Sequence, residues 1–186
     1  MGARNGFRIS IATSIDFGMQ SSLEVSTMSD PLATYLNDHL GGAQIAIQVL
    51  EAMRDQHEDQ SFREFASMLL PEIETDDRTL RTIAEKIGSG PNAAKQIGGW
   101  LLEKVARIKL GHTGSTNFAM FESLELLVLG IHGKLCLWKA LRAASKLDSR
   151  LREYDFERLI SSAEQQYDKV EDQRLNLART VLSPVS

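Results

Sequence analysis

Four side chains in this 186-residue sequence have the types and spacing to do chemistry together: Asp76, His39, Glu125 and His132. Asp76 interrupts an apolar series that runs Leu69, Ile73, Asp76, Leu80, Ile83 and Ile87, in steps of four and three. That spacing marks the buried stripe of an amphipathic helix, so a carboxylate stands where an aliphatic side chain belongs. Burying it there costs several kcal/mol unless it is paired, protonated or bound to a cation. His39 shares a stripe with Leu36 and Ala43, and Glu125 lies two turns before His132 on one face of a later helix. Carboxylate and imidazole ligands of this kind suit iron, manganese or zinc, which makes the four residues candidate metal ligands. The competing arrangement is a buried polar network in which Asp76 accepts hydrogen bonds from His39 or His132 and fixes helix register without chemistry.

The elements that must position these residues are helices. Asp30-Pro31 supplies a capping residue and a proline at the first helical position, opening a helix to about Arg54 on the stripe Leu32, Leu36, Leu40, Ala43, Ile47 and Leu50. Gly41-Gly42 inside it weakens the helix by about 1 kcal/mol per glycine and could admit a neighbouring helix or a ligand. A polar turn, Gln56 to Asp59, leads to a second helix from about Ser61 to Ile87, ended by Gly88-Ser89-Gly90-Pro91. Pro71 within it is expected to interrupt the hydrogen-bond ladder near Ser67. A shorter helix spans Asn92 to Lys109, and a third long one about Phe118 to Lys146. The latter is apolar almost all round and is expected to be the most buried. In it Cys136, within Leu135-Cys136-Leu137-Trp138, is expected to be a buried, inert thiol. The last helix runs from about Tyr154 to Leu182 on the stripe Phe156, Ile160, Ala163, Tyr167, Val170, Leu177 and Val181.

Short turns make the first and last helix pairs antiparallel, while about 30 residues separate the pairs. The intervening helix of about 17 residues spans about 25 Å and can return the chain to the other end of the bundle. The expected fold is therefore all-α: an up-down-down-up four-helix bundle with an additional crossover helix between the second and third long helices. Asp76 and His132 then lie at one level, each about 21 Å from its helix start.

Tyr35-Leu36-Asn37-Asp38-His39-Leu40-Gly41-Gly42-Ala43, the later Leu129-Gly130-Ile131-His132-Gly133-Lys134-Leu135 and the five-helix order resemble an uncharacterised bacterial group of the ferritin-like superfamily, over about residues 32–182. The resemblance implies a fold and no particular reaction. Di-iron members of the superfamily place one Glu on each of two helices and a Glu-x-x-His on each of the other two. No Glu-x-x-His occurs anywhere in this sequence, which argues against an ordinary ferroxidase or ferritin.

Composition excludes other classes. A net charge of −4 gives whole-chain nucleic-acid binding no support, and a single cysteine rules out an intrachain disulfide or a multi-cysteine zinc finger. Residues 1–28, rich in Ser, Gly and Thr, are expected to be a disordered tail or to precede initiation at Met28, with residues 29–186 forming one domain. No run approaches the ~18 to 20 apolar residues of a membrane span, so the expected compartment is the cytoplasm. Glu72, Glu74, Asp77, and the line Glu164, Asp168 and Glu171, are expected to be solvated. His57 and His112, at helix ends, are expected to meet terminal carbonyls. Gly130 to Leu135 fails as a phosphate loop, because Val128 and Leu135 stand where glycine and a hydroxyl residue are needed. Lys134, Lys139, Arg142, Lys146, Arg150 and Arg152 form a basic stretch that a DNA-associated stress protein could use on phosphate. Alternating surface charge or complementary faces of a homodimer explain it more simply.

The sequence thus leads to a non-catalytic structural or interaction protein, self-associating, with a buried polar network. A metal-binding relative with a degenerate iron or manganese site is the second reading, and DNA association the third.

Overall fold

The computed structural model describes residues 30–88 and 116–183. They form four long helices: α1 (Pro31–Gln56), α2 (Gln60–Ile87), α3 (Thr116–Ala144) and α4 (Phe156–Val181), with a 3-10 turn at Ser149–Leu151 before α4. Among the described residues there is no strand, in keeping with the all-α expectation. The expected crossover helix, Asn92 to Lys109, lies outside the described residues, as do His112 and the first 28.

Local signals set the helix ends. The Asp30 carboxylate accepts from the Leu32 N–H at 2.9 Å, and that of Asp59 from Ser61 at 2.8 Å, so each satisfies an orphan donor of a first turn. Gly88 closes α2 at φ +86°, a conformation that costs a side-chain-bearing residue about 1 kcal/mol or more. α2 runs on through Pro71. The ring removes one donor to Ser67, yet packing on both sides holds the helix together. The Asp30 carboxylate also meets Arg150 at 3.3 Å, tying the start of α1 to the turn before α4.

Adjacent helices are matched residue by residue. Gln44 reaches Asp77 between α1 and α2. Between α3 and α4, Arg142 pairs with Glu157, Lys139 with Glu164, and Lys134 with Gln166, so these helices run antiparallel. Glu72–Lys169 and Asp76–Gln166 set α2 against α4 in the same antiparallel sense.

The core falls into two clusters. One gathers Val49, Leu50, Leu69, Ile73, Leu124, Leu127, Ile131 and Val170; the other gathers Leu36, Leu80, Ile83, Trp138, Leu141, Leu151 and Ile160. Each fully buried aliphatic side chain stabilises the fold by about 1.5–3 kcal/mol. On α2, α3 and α4 the boundary between the clusters falls at Asp76, Lys134 and Gln166. The bundle has a polar waist.

Two expectations about burial fail. Cys136 is exposed, because Leu135 and Leu137 on either side turn inward and each residue rotates the helix by about 100°. α3 is likewise not buried all round: Leu129 keeps 62% of its surface exposed.

Candidate functional site: a polar waist beside a glycine-edged cavity

Asp76 is buried, as its place on the stripe requires. Its partners are not the expected histidines. The Lys134 ammonium lies 2.5 Å from Asp76 Oδ2, and Gln166 donates to the same oxygen at 3.1 Å. Lys134 also donates to Gln166 Oε1, and Gln166 donates to Ser162 at 3.2 Å. The three side chains come from three helices, and Gln166 has no exposed surface at all. Burial pushes the Lys134 pKa below its ordinary value, while the Asp76 charge and its hydrogen bond pull it back.

The correction has a simple geometry. His132 and Lys134 are two residues apart, so the level deduced for His132 was within about 3 Å of the residue that meets Asp76. Two residues also rotate a helix by about 200°, which carries His132 to the outside. There it is exposed, its ring 6.0 Å from that of Tyr167 on α4. Glu125 is exposed as well, close enough to favour the charged form of Arg174.

His39 does approach Asp76. Both line a cavity of about 60 Å³ between α1, α2 and α3, with Asp77, Lys134 and Trp138. Burial lowers the His39 pKa, against an opposing pull from Asp38, and its ring meets Tyr35 edge-on at 4.7 Å between centroids. Of the four candidate ligands, then, the structure brings His39 and Asp76 to one cavity and sends Glu125 and His132 outward. Among the described residues, no three His, Cys, Asp or Glu side chains converge as a metal ion would need. Lys134 stands against Asp76 and already supplies the positive charge that a cation would bring there.

Asp77 departs from expectation too. It is buried rather than solvated, receiving Arg81 at 2.8 Å one turn on and Gln44 at 3.3 Å from α1. A carboxylate one residue past the stripe faces the neighbouring hairpin helix, and Arg81 reaches down to neutralise it. His57 takes an unexpected role, accepting the Asp59 N–H through Nδ1 at 3.0 Å. Glu164 and Asp168 are exposed as expected, while Glu171 is half-buried against Arg174 at 2.6 Å.

Sequence reasoning missed Lys134 and Gln166, although the signal was the one that revealed Asp76. Lys134 falls three residues after Ile131 and four before Trp138, and Gln166 falls between Ala163 and Val170. Each is a polar interruption of an apolar stripe. The basic stretch from Lys134 to Arg152 is largely paired internally: Lys134 with Asp76, Lys139 with Glu164, Arg142 with Glu157, and Arg150 with Asp148 and Asp30. Little of it is left for phosphate.

No family model, curated protein or solved structure matches this chain. Among the described residues, no helix is long and apolar enough to cross a membrane.

Proposed function

We propose that this protein is a non-catalytic, ferritin-like interaction scaffold that self-associates through the outer face of α3. The observation that carries the reading is a row of residues on the outer side of α3 and just past its end: Leu129, Gly133, Cys136, Ala140, Ala143 and Leu147. They recur at alternating steps of three and four with no charge among them, the spacing of a helix–helix seam. Leu129, Cys136, Ala140, Ala143 and Leu147 are exposed. A contiguous exposed apolar row of this kind marks a surface for another chain to cover.

A second copy suits that face. α3 carries Glu122 and Glu125 in its first half, and in its second Lys139 and Arg142, which also pair within the chain with Glu164 and Glu157. Two copies packed antiparallel about Gly133 to Cys136 bring opposite charges together, as a two-fold interface requires. The ferritin-like part of the reading draws support from the helix register. α1 antiparallel to α2, α3 to α4 and α2 to α4 is the pattern of an up-down-down-up bundle, which the crossover segment completes. The exposed free thiol of Cys136 favours a reducing compartment, and we infer the cytoplasm. The polar waist then serves register. A metal-binding reading would require Lys134 to be driven from Asp76, leaving a buried ammonium with Gln166 alone.

Sedimentation equilibrium of the full chain tests self-association. We expect a multiple of 20.7 kDa for the native protein and 20.7 kDa for Ala140→Glu, which places a carboxylate in the seam. A native mass of 20.7 kDa, or an assembly indifferent to both Ala140→Glu and Leu129→Glu, refutes the proposal.

A further inference from the structure

The cavity beside the waist is built unlike the rest of the core. Two glycines, Gly42 on α1 and Gly130 on α3, stand at its edge. Each costs its helix about 1 kcal/mol relative to alanine. Glycine in a helix usually earns its place by letting a neighbour come close, yet a Cβ built on either would find nothing within 4 Å. These glycines therefore do not serve close packing. They leave space open.

The groups around that space have unmet donors. Trp138 is wholly buried and lines the cavity, and its indole Nε1 has no hydrogen-bond partner. A buried donor left unpaired costs about 1–3 kcal/mol, which a partner in the cavity would recover. An ammonium carries three N–H donors, and Lys134 spends one on Asp76 and one on Gln166. The remaining wall is apolar: Ala43, Ala46, Ile73, Leu80, Ile131 and Leu137. The two carboxylates, Asp76 and Asp77, are already paired with Lys134 and Arg81, so no cation is left over to hold an anion. A volume of about 60 Å³ exceeds the ~10–15 Å³ that one water molecule needs.

We propose that this cavity is a binding site for a small uncharged carbonyl compound, whose oxygen accepts hydrogen bonds from Trp138 and Lys134 and whose apolar part lies between Gly42 and Gly130. The carbonyl supplies an acceptor for both donors and adds no charge to a lining whose charges are already paired. Its apolar body covers the small residues at the rim. The site is independent of the α3 seam, and the two readings fail separately.

Nuclear magnetic resonance of the ¹⁵N-labelled full chain tests the proposal. The sequence holds two tryptophans, and Trp100→Phe assigns the Trp138 indole N–H signal. Titration with cyclopentanone is expected to move that signal downfield to saturation, and cyclopentane is expected not to. Gly42→Leu and Gly130→Leu each extend a side chain at the cavity edge from a Cβ that meets no neighbour within 4 Å. Each should keep the helical circular dichroism of the parent and bind cyclopentanone about tenfold or more weakly. A shift that never saturates means the cavity holds water only and overturns the proposal. An equal shift with cyclopentane, or unweakened binding in both folded glycine variants, overturns it as well.

Discussion

Replacing Lys134 by methionine removes the cation from the waist while keeping most of the side-chain length. Asp76 is then left with Gln166 as its donor, and Gln166 Oε1 loses the ammonium. The side chains of Lys134 and Asp76 retain only 14% and 7% of their exposure, so water cannot replace the lost partner. Two unit charges about 4 Å apart attract by about 4 kcal/mol at an effective dielectric of 20. Desolvation costs several kcal/mol per ion, so the intact pair contributes little net stability. Breaking it from one side is a different matter, because the desolvation remains and the attraction is lost. Lys134→Met and Asp76→Leu are each expected to cost about 3–5 kcal/mol. For a chain of this size that lowers the melting temperature by roughly 6–20 °C. The double variant removes both charges but leaves the buried Gln166 amide with Ser162 alone, so it is expected to lie about 1–3 kcal/mol below the parent and well above the sum of the singles. Urea denaturation of the four proteins, followed by circular dichroism, closes the cycle. Additive losses, with a double variant as weak as the sum of the singles, would refute the reasoning, since no coupling would then join the two charges.

Three further outcomes follow from the same contacts. Gly42→Ala and Gly130→Ala, each adding a methyl to open space, should stabilise by about 1 kcal/mol apiece in thermal melts; a loss would show that the glycines are packed after all. Burial holds the His39 pKa below 6.5, so the folded state binds fewer protons than the unfolded one in the window beneath that value. Stability present above 6.5 is lost as pH falls through the window, and His39→Gln should flatten that part of the profile; an unchanged slope would clear His39 of the effect. Asp30→Ala removes the α1 cap and one partner of Arg150, an expected cost of about 1 kcal/mol that rests mainly on the cap, because the ion pair is half-exposed. Arg150→Ala, which spares the cap, should cost less; the reverse order would move the weight to the ion pair.

The sequence by itself determined the helices. Capping residues, glycine stops and three-and-four spacing placed four long helices within about two residues of their observed ends, because such signals act over one turn of chain. The same local logic showed that Asp76 must be buried, since an apolar stripe leaves its interrupting residue nowhere else to point. It also gave the level along the bundle at which a partner would be met, because helical rise per residue is fixed. What it could not give was rotation about the helix axis. His132 and Lys134 are neighbours in level and opposites in direction, and only packing α3 against α1 and α4 decided which of them faced Asp76. The same rotation turned Cys136 outward from an apolar run, and Asp77 inward from an acidic one. α3 hid this most, because a helix apolar on nearly every side has no stripe from which to read a face. Whether a glycine serves close contact or open space is tertiary in the same sense. Gly42 and Gly130 were visible as weak points in their helices, and only the packing of α1, α2 and α3 showed that they edge the cavity where Asp76 meets Lys134.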